Sequence, residues 1–269
     1  MIKNIKIFND TLIKCRENNK LITAVQQSIK NTVLYKKDDY PEIKCKPDKQ
    51  CRITVTRERT IESAKNLYKF YPDARIGILN FASATNAGGG VVLGANAQEE
   101  SICRCTTLYP CLKTKEMRKG YYNPHRIGLN FCYTDACIYT PDIVVMKSDA
   151  LYPENIPEND WFNIDVLTCA APNLSLAWLP KNKLYDIHKK RGKHILSIAV
   201  ANGIDVLVLG AFGCGAFRNN PETVSRAYID ILSDFMGYFT EIRFAVYSSS
   251  EHSRNYQAFS KIPEKLDLK

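Results

Sequence analysis

Long apolar runs are missing from this chain of 269 residues. The longest ones, around Ile76–Ala82 and Val206–Phe212, suit a buried strand and fall far short of the roughly 20 residues of a membrane-spanning helix. The first ten residues alternate lysine and asparagine with apolar residues and contain no signal-peptide core. Internal repeats and low-complexity tracts are absent too. These absences argue against membrane, fibrous and secreted classes, so we expect a cytoplasmic protein.

Cysteine pairs with the CxxC spacing typical of zinc sites are also missing. The ten cysteines are spread too thinly along the chain for the disulfide framework of a small secreted domain. We therefore favour free thiols over a zinc site at Cys103, Cys105 and Cys111, or at Cys132 and Cys137, and we expect no metal. The four histidines are scattered, and we interpret each as a packing or surface residue.

Positive charge is plentiful and unevenly distributed. The chain carries a net charge of +9, and residues 1–70 hold sixteen lysines and arginines against eight acidic residues. A basic first quarter can attract a polyanion, such as nucleic acid or another phosphate-rich polymer. A solvated surface explains the same charge, and no basic motif interleaved with aromatic residues decides between the two.

The apolar pattern alternates between the periods of strands and helices. We predict helices over residues 8–33, 61–71, 97–112, 184–202 and 221–235, and an exposed connection over 35–52. We predict strands over residues 53–56, 75–81, 138–147, 164–170, 205–212 and 242–247. Continuous apolar strands that alternate with helices predict a layered α/β fold, with helices on both faces of the sheet.

Two glycine loops directly follow buried strands. Asn86–Val91 contains three successive glycines, which allow backbone N–H groups to approach a ligand closely. Gly210–Phe217 follows the most apolar strand and leads into Asn220 and Pro221, which suit a helix start. A strand, a glycine loop and a helix N-terminus are the usual elements of a phosphate site. Two such loops on one sheet predict a site for a diphosphate.

Two adjacent carboxyl groups follow the first loop. Asn96 and Glu99 have the spacing of a capping box, which explains Glu99 as a helix-start residue. Glu100 then remains available beside the ligand of the glycines. A carboxyl group next to a phosphate site, with no Walker motif, suits acid–base chemistry on a sugar attached to the diphosphate.

The run LNFASATNAGGGVVLGANAQEESICRCTTLY resembles the signature of bacterial-type poly(ADP-ribose) glycohydrolases of the macrodomain superfamily, in which three glycines, a short spacer and Gln-Glu-Glu follow one another. The spacer here is residues 91–97. The resemblance continues through IYTPDIVVMK, DVLTCAAPN, VLGAFGCGAFRNNPETVS and FAVYSS. One departure is Ala87, where the family usually has proline. The resemblance implies a macrodomain-like α/β/α sandwich with a mixed sheet at residues 53–269, and a helical accessory segment at residues 1–52.

The resemblance also implies a role for each matching residue. Glu100 takes the position of the catalytic acid, and Glu99 that of a carboxylate that holds the ribose hydroxyls. The implied substrate-binding residues are Asn86, Gly88, Gly89, Gly90, Val91, Gln98, Gly213, Cys214, Gly215, Ala216 and Phe217. Backbone N–H groups of the second loop would bind phosphate, and Phe217 would pack on the ligand.

The implied activity is exo-type hydrolysis of the ribose–ribose bond of poly(ADP-ribose), without a metal or an organic cofactor. The implied partners are ADP-ribose, its polymer and ADP-ribosylated proteins; nucleic acid remains an open alternative, and no membrane partner is expected. A module that binds ADP-ribose without cleaving it would need the same loops but no Glu100. A hydrolase of mono-ADP-ribosylated protein or nucleic acid is the other alternative.

Overall fold

A mixed sheet of seven strands forms the centre of the computed structural model, which describes residues 1–128 and 130–267. The strands are β1 (Val33–Tyr35), β2 (Arg52–Thr56), β3 (Ile76–Phe81), β4 (Cys137–Val145), β5 (Phe162–Cys169), β6 (Val206–Leu209) and β7 (Glu241–Ala245). Their order in the sheet is β1-β4-β5-β3-β6-β7-β2, and β5, β3, β6, β7 and β2 run parallel. Strand β4 runs antiparallel to both of its neighbours.

Helices cover both faces of this sheet. They are α1 (Ile2–Glu17), α2 (Asn19–Asn31), α3 (Thr60–Phe70), α4 (Gln98–Cys105), α5 (Leu108–Leu112), α6 (Lys115–Met117), α7 (Asn123–Ile127), α8 (Lys181–Ala201), α9 (Pro221–Leu232), α10 (Arg254–Phe259) and α11 (Ile262–Asp267). Successive residues of a strand point to opposite faces, so Val206 and Val208 of β6 pack with α3 and α4, whereas Leu207 and Leu209 pack with α8 and α9. The predicted α/β fold is confirmed.

Two predicted helices are each divided in the structure. The helix predicted over residues 8–33 is α1 and α2, because Asn18 has an extended backbone and its side chain accepts the N–H bonds of Lys20 and Leu21. The helix predicted over residues 97–112 is α4 and α5. At the break, the hydroxyl of Thr107 accepts the N–H of Val144 in β4, so Thr107 bonds to the sheet and the helix is interrupted there.

The other differences lie mostly at element ends. The strand predicted over residues 205–212 ends at Leu209, since Gly210 passes so close to β7 that a Cβ there would lie 2.6 Å from the Ala245 carbonyl oxygen. Strand β1 and the short helices α6, α7, α10 and α11 were not predicted. Residues 1–52 contribute β1 to one edge of the sheet, and their separation as an accessory segment remains a prediction. In the described part of the chain, no helix is long and apolar enough to cross a membrane.

Candidate active site

The two glycine loops meet at one edge of the sheet. Strands β3 and β6 are parallel neighbours, so the loops that follow them leave the sheet on the same side. A cleft of about 610 Å³ opens between these loops. The predicted site residues that line it are Gly89, Gln98, Glu99, Glu100, Gly213, Gly215, Ala216 and Phe217. The two stretches therefore form one site, as a ligand with a diphosphate requires.

Gly89 lies directly beneath both carboxyl groups. Its backbone is left-handed, with φ of 57°, which favours glycine. A Cβ at this position would lie 2.5 Å from Oε1 of Glu100 and 3.0 Å from Oε2 of Glu99. Gly88 is left-handed as well and lies against the ring of Tyr109. The loop thus needs glycine both for its conformation and for the close approach of Glu99 and Glu100.

Glu99 is almost completely buried, with 3% of the residue exposed. Its Oε2 accepts the N–H of Ser83 at 2.7 Å, and its Oε1 lies 3.4 Å from the side-chain amide nitrogen of Asn80. Burial, and in addition the charge of Glu100, raises the pKa of Glu99 to about 8. Glu99 therefore retains its proton in most molecules at neutral pH.

Glu100 makes the helix-start contacts that the sequence assigned to Glu99. Its Oε2 accepts the N–H of Ala97 at 3.0 Å, and its Oε1 accepts the N–H of Gly90 at 2.8 Å. The capping box predicted for Asn96 and Glu99 is wrong, because the helix begins one residue later, at Gln98. One carboxyl group thus connects the glycine loop to the start of α4.

Gln98 connects the same helix start to the end of β3. Its side-chain oxygen accepts the N–H of Phe81 at 2.8 Å, and its amide nitrogen donates to the Leu79 carbonyl at 2.7 Å. It also donates to the hydroxyl of Thr60 at 3.0 Å. These bonds fix α4 against the strand and so hold the two glutamates at the cleft.

A buried asparagine holds the second loop. The amide nitrogen of Asn219 donates to the carbonyl oxygens of Pro172, Gly213 and Phe217 at 2.7–3.1 Å. Its oxygen lies 2.7 Å from Nε2 of His188, whose pKa burial lowers to about 4, so a neutral ring donates this bond. Sequence reasoning did not assign Asn219, although it falls within the VLGAFGCGAFRNNPETVS segment that carried the resemblance, which was the available signal for it.

The residues flanking the second loop agree in part with expectation. Asn220 caps α9 by accepting the N–H of Thr223 at 2.8 Å, and Pro221 opens the helix, as predicted. Burial raises the pKa of the Cys214 thiol, so its side chain stays uncharged. Phe217 is half-buried, and the centre of its ring lies 6.4 Å from the centre of the Tyr133 ring.

Several predicted residues lie outside the walls of the cleft. Asn86 is exposed, and a guanidinium nitrogen of Arg126 lies 3.4 Å from its side-chain oxygen. Val91 is fully buried in the core, so only its backbone can face a ligand. Gly88, Gly90 and Cys214 belong to the loops without lining the cleft.

The cleft is also lined by residues that sequence reasoning did not assign. Arg59, Tyr247 and Asn255 line it, and the guanidinium of Arg59 lies 4.0 Å from the ring centre of Tyr247. Tyr247 falls within the FAVYSS segment that carried the resemblance, which was the available signal for it. Arg59 and Asn255 carry no comparable signal.

A family model covers more than half of the chain. Residues 4–148 match the model described as "Microbial-type PARG, catalytic domain", where PARG stands for poly(ADP-ribose) glycohydrolase. The matched range includes the first glycine loop and both glutamates, but not the second loop. A comparison with curated proteins found no match.

Solved structures match nearly the whole chain. The poly(ADP-ribose) glycohydrolase of Thermomonospora curvata is 28% identical, with a TM-score of 0.87, over 97% of this chain and 100% of that one. A structure of that protein bound to the inhibitor ADP-HPD is 27% identical, with a TM-score of 0.83, over 97% and 99%. The Deinococcus radiodurans enzyme in complex with ADP-ribose is 29% identical, with a TM-score of 0.80, over 90% and 97%.

Proposed function

The chain belongs to the family of microbial-type PARG catalytic domains, and on that premise we propose that it removes ADP-ribose units one at a time from the free end of poly(ADP-ribose), with Glu100 as the catalytic acid. The observation that carries this proposal is the convergence of both glycine loops and both glutamates on one cleft of about 610 Å³. A cleft of this size suits a nucleotide-sugar ligand.

The second loop supplies the diphosphate end of the proposed site. Gly213, Gly215 and Ala216 line the cleft, and Gly215 and Ala216 are exposed. They come a few residues before α9, whose N-terminus carries a partial positive charge. Phe217 lines the same wall, where its ring can pack on the ligand. The diphosphate would then lie between this loop and the glycines of the first.

Glu100 is placed to act at the sugar end. In the proposed reaction its protonated carboxyl donates to the ribose oxygen that leaves, as the bond between that oxygen and the anomeric carbon of the terminal ribose breaks. Water then attacks the anomeric carbon and gives its proton to the Glu100 carboxylate. The enzyme returns to its starting state, with one ADP-ribose and a shortened polymer as products. All of these steps use groups of the chain, substrate and water.

The pair of carboxyl groups can hold the proton that this reaction needs. The two side chains converge on Gly89, and the pKa of Glu99 of about 8 keeps a proton on Glu99 at neutral pH, from which Glu100 can be protonated. Glu100 bridges Gly90 and Ala97, at the end of the cleft where we place the bond to be cleaved. Glu99 lies deeper, bonded to Ser83, and would hold the ribose hydroxyls. We therefore assign proton delivery to Glu100.

The test is to incubate the protein with poly(ADP-ribose) of defined length and to measure the products by mass during the first tenth of the reaction. Exo-type cleavage predicts free ADP-ribose from the start, with no short oligomers. Early release of oligomers would contradict the exo mode. Binding of ADP-ribose without any cleavage would instead make the protein a reader.

A further inference from the structure

The strongly basic N-terminal region has no role in the reaction proposed above. Helix α1 belongs to this region and lies against the segment that follows the three glycines. The side-chain amide of Asn4 donates to the carbonyl oxygen of Gly94 at 3.2 Å, and a Cβ on Gly94 would lie 2.6 Å from the carbonyl oxygen of Met1. The start of α1 is therefore next to the catalytic loop.

The first lysine of α1 reaches the rim of the cleft. The ammonium of Lys3 lies 3.8 Å from the ring centre of Tyr152, and the preceding residue, Leu151, lines the cleft. Asn96 and Ala97 line the cleft close to Glu100, whose carboxylate binds the Ala97 N–H. Lys3 thus lies beside a segment that lines the cleft, on the helix that packs against the loop leading to Glu100.

Two lysines on this face lack a carboxylate partner among the described residues. Lys3 and Lys6 are exposed and three residues apart, which places them on one side of the helix. Within residues 1–128 and 130–267, neither ammonium has a carboxylate within ion-pair distance. The nearby Asp10 is already bound by Lys14 at 3.3 Å and by Lys147 at 2.6 Å. The charges of Lys3 and Lys6 are available to an anion.

We propose that Lys3 and Lys6 bind the diphosphate of the second ADP-ribose unit, the unit that stays on the polymer when the terminal one is cleaved. This inference rests on the proposed function. When the terminal unit fills the cleft, the rest of the polymer leaves it beside Glu100, where the bond is cleaved. Phosphate groups of the next unit then pass the rim that Lys3 forms. The polymer is favoured over nucleic acid because Lys3 lies on Tyr152, next to Leu151 in the wall of the cleft.

The test is the double variant Lys3→Gln/Lys6→Gln, compared with Lys30→Gln/Lys46→Gln. The control removes the same charge from exposed lysines of the basic region. Its Lys30 lies in the last turn of α2. Lys46 adjoins Pro47, which packs on Gly237 in the segment before β7, the neighbour of the edge strand β2. Turnover of polymer is measured as a function of salt, together with the Kd of free ADP-ribose.

We expect KM for the polymer to rise about five- to tenfold at low salt in the Lys3→Gln/Lys6→Gln variant, with kcat unchanged. The slope of log KM against log salt should fall by about 1.4, because about two phosphate contacts are lost. The Kd of free ADP-ribose, a single unit, should stay within about twofold of the parent, and the control should match the parent throughout.

Two results would overturn this inference. One is a double variant whose KM and salt slope equal those of the control. The other is a variant that loses binding of a single-stranded oligonucleotide while it cleaves polymer like the parent, which would make the face a nucleic-acid site. A parent that cannot cleave polymer would instead refute the proposed function, so the two failures can be told apart.

Discussion

At the scale of residues, the structure gives two adjacent glutamates different surroundings. Glu99 is buried beside Asn80 and Ser83, whereas Glu100 bridges Gly90 and Ala97. The sequence predicts both as site residues but assigns the capping contact to Glu99, because spacing alone cannot decide at which residue a helix begins. A shift of one residue in the helix start moves the capping contact from Glu99 to Glu100.

The raised pKa of Glu99 predicts how activity depends on pH. Glu99 loses its proton as pH rises through about 8, and in the proposed mechanism that proton reaches the substrate through Glu100, so kcat should fall about tenfold per pH unit above that value. A pH profile of single-turnover rates on polymer measures this. A rate that stays constant to pH 10 would show that the pair does not supply the proton.

Stability should respond to the same group. Glu99 has an ordinary pKa near 4.5 and a folded pKa of about 8, so the folded state disfavours its ionised form. The free energy of unfolding contributed by this group is therefore complete below pH 4.5 and is lost as pH rises towards 8. Glu99→Gln does not show this loss. The Tm of the variant relative to the parent should therefore rise by several degrees between pH 4.5 and 8, and the difference should stay constant above pH 8. A constant difference in Tm would contradict this.

At the scale of elements, a buried arginine holds the segment between the glycines and the glutamates. Arg104 of α4 donates to the Ala95 carbonyl at 2.6 Å and to the Asn96 side chain at 2.7 Å. The Ala95 N–H in turn donates to the Gly90 carbonyl at 3.2 Å, and the Gly90 N–H binds Glu100. This sequence of bonds connects α4 back to its own first turn.

Replacement of Arg104 should therefore disturb the position of the Glu100 carboxyl group more than the binding of ADP-ribose in the cleft. We expect Arg104→Lys to lower kcat about tenfold and to change the Kd of ADP-ribose less than threefold, since the single nitrogen of lysine cannot reproduce the planar fork whose two nitrogens make these bonds. The matched control is Arg191→Lys, a buried arginine of α8 that binds the carbonyls of Ala170 and Cys132. Equal effects of both variants on kcat would indicate general destabilisation.

The order of the main helices and strands could be predicted from the apolar pattern, since strands β3 to β7 are buried along most of their length. Breaks such as Asn18 and Thr107 could not, because they depend on partners far along the chain or on a side chain that competes with the helix. Strand β1 was missed since its three residues show too short a pattern and gain their place by pairing with β4. In the site, motif residues were found, while Arg104 and Asn219 act through backbone carbonyls that a sequence does not reveal.

At the scale of the whole molecule, the cleft joins parts that are distant in sequence. Arg59, Glu100, Gly213 and Tyr247 all line it, so a ligand that fills the cleft contacts the folded protein but not the unfolded chain. ADP-ribose should stabilise the protein accordingly, by about 2.7 kcal/mol at a concentration 100 times its Kd. For a chain of this length that corresponds to a rise in Tm of about 5–10 °C.

Thermal unfolding with increasing ADP-ribose measures this stabilisation, and AMP provides a comparison that lacks both the second phosphate and the distal ribose. A Tm that does not change at millimolar ADP-ribose would contradict an ADP-ribose site in the cleft. Equal shifts in Tm with AMP would mean that the first glycine loop and the two glutamates contribute little to the free energy of ADP-ribose binding.

The most direct test of Glu100 as the acid is the single-turnover rate on poly(ADP-ribose) of Glu100→Gln, with Glu99→Gln as the matched neighbour. Glutamine keeps the size of Glu100 and can still accept one backbone bond, but it cannot donate the proton, so the rate should fall by about 10²–10⁴ while ADP-ribose still binds. Glu99→Gln should weaken binding and turnover together, because Glu99 is assigned to the ribose hydroxyls. A Glu100→Gln enzyme that cleaves the polymer at the parental rate would contradict the account.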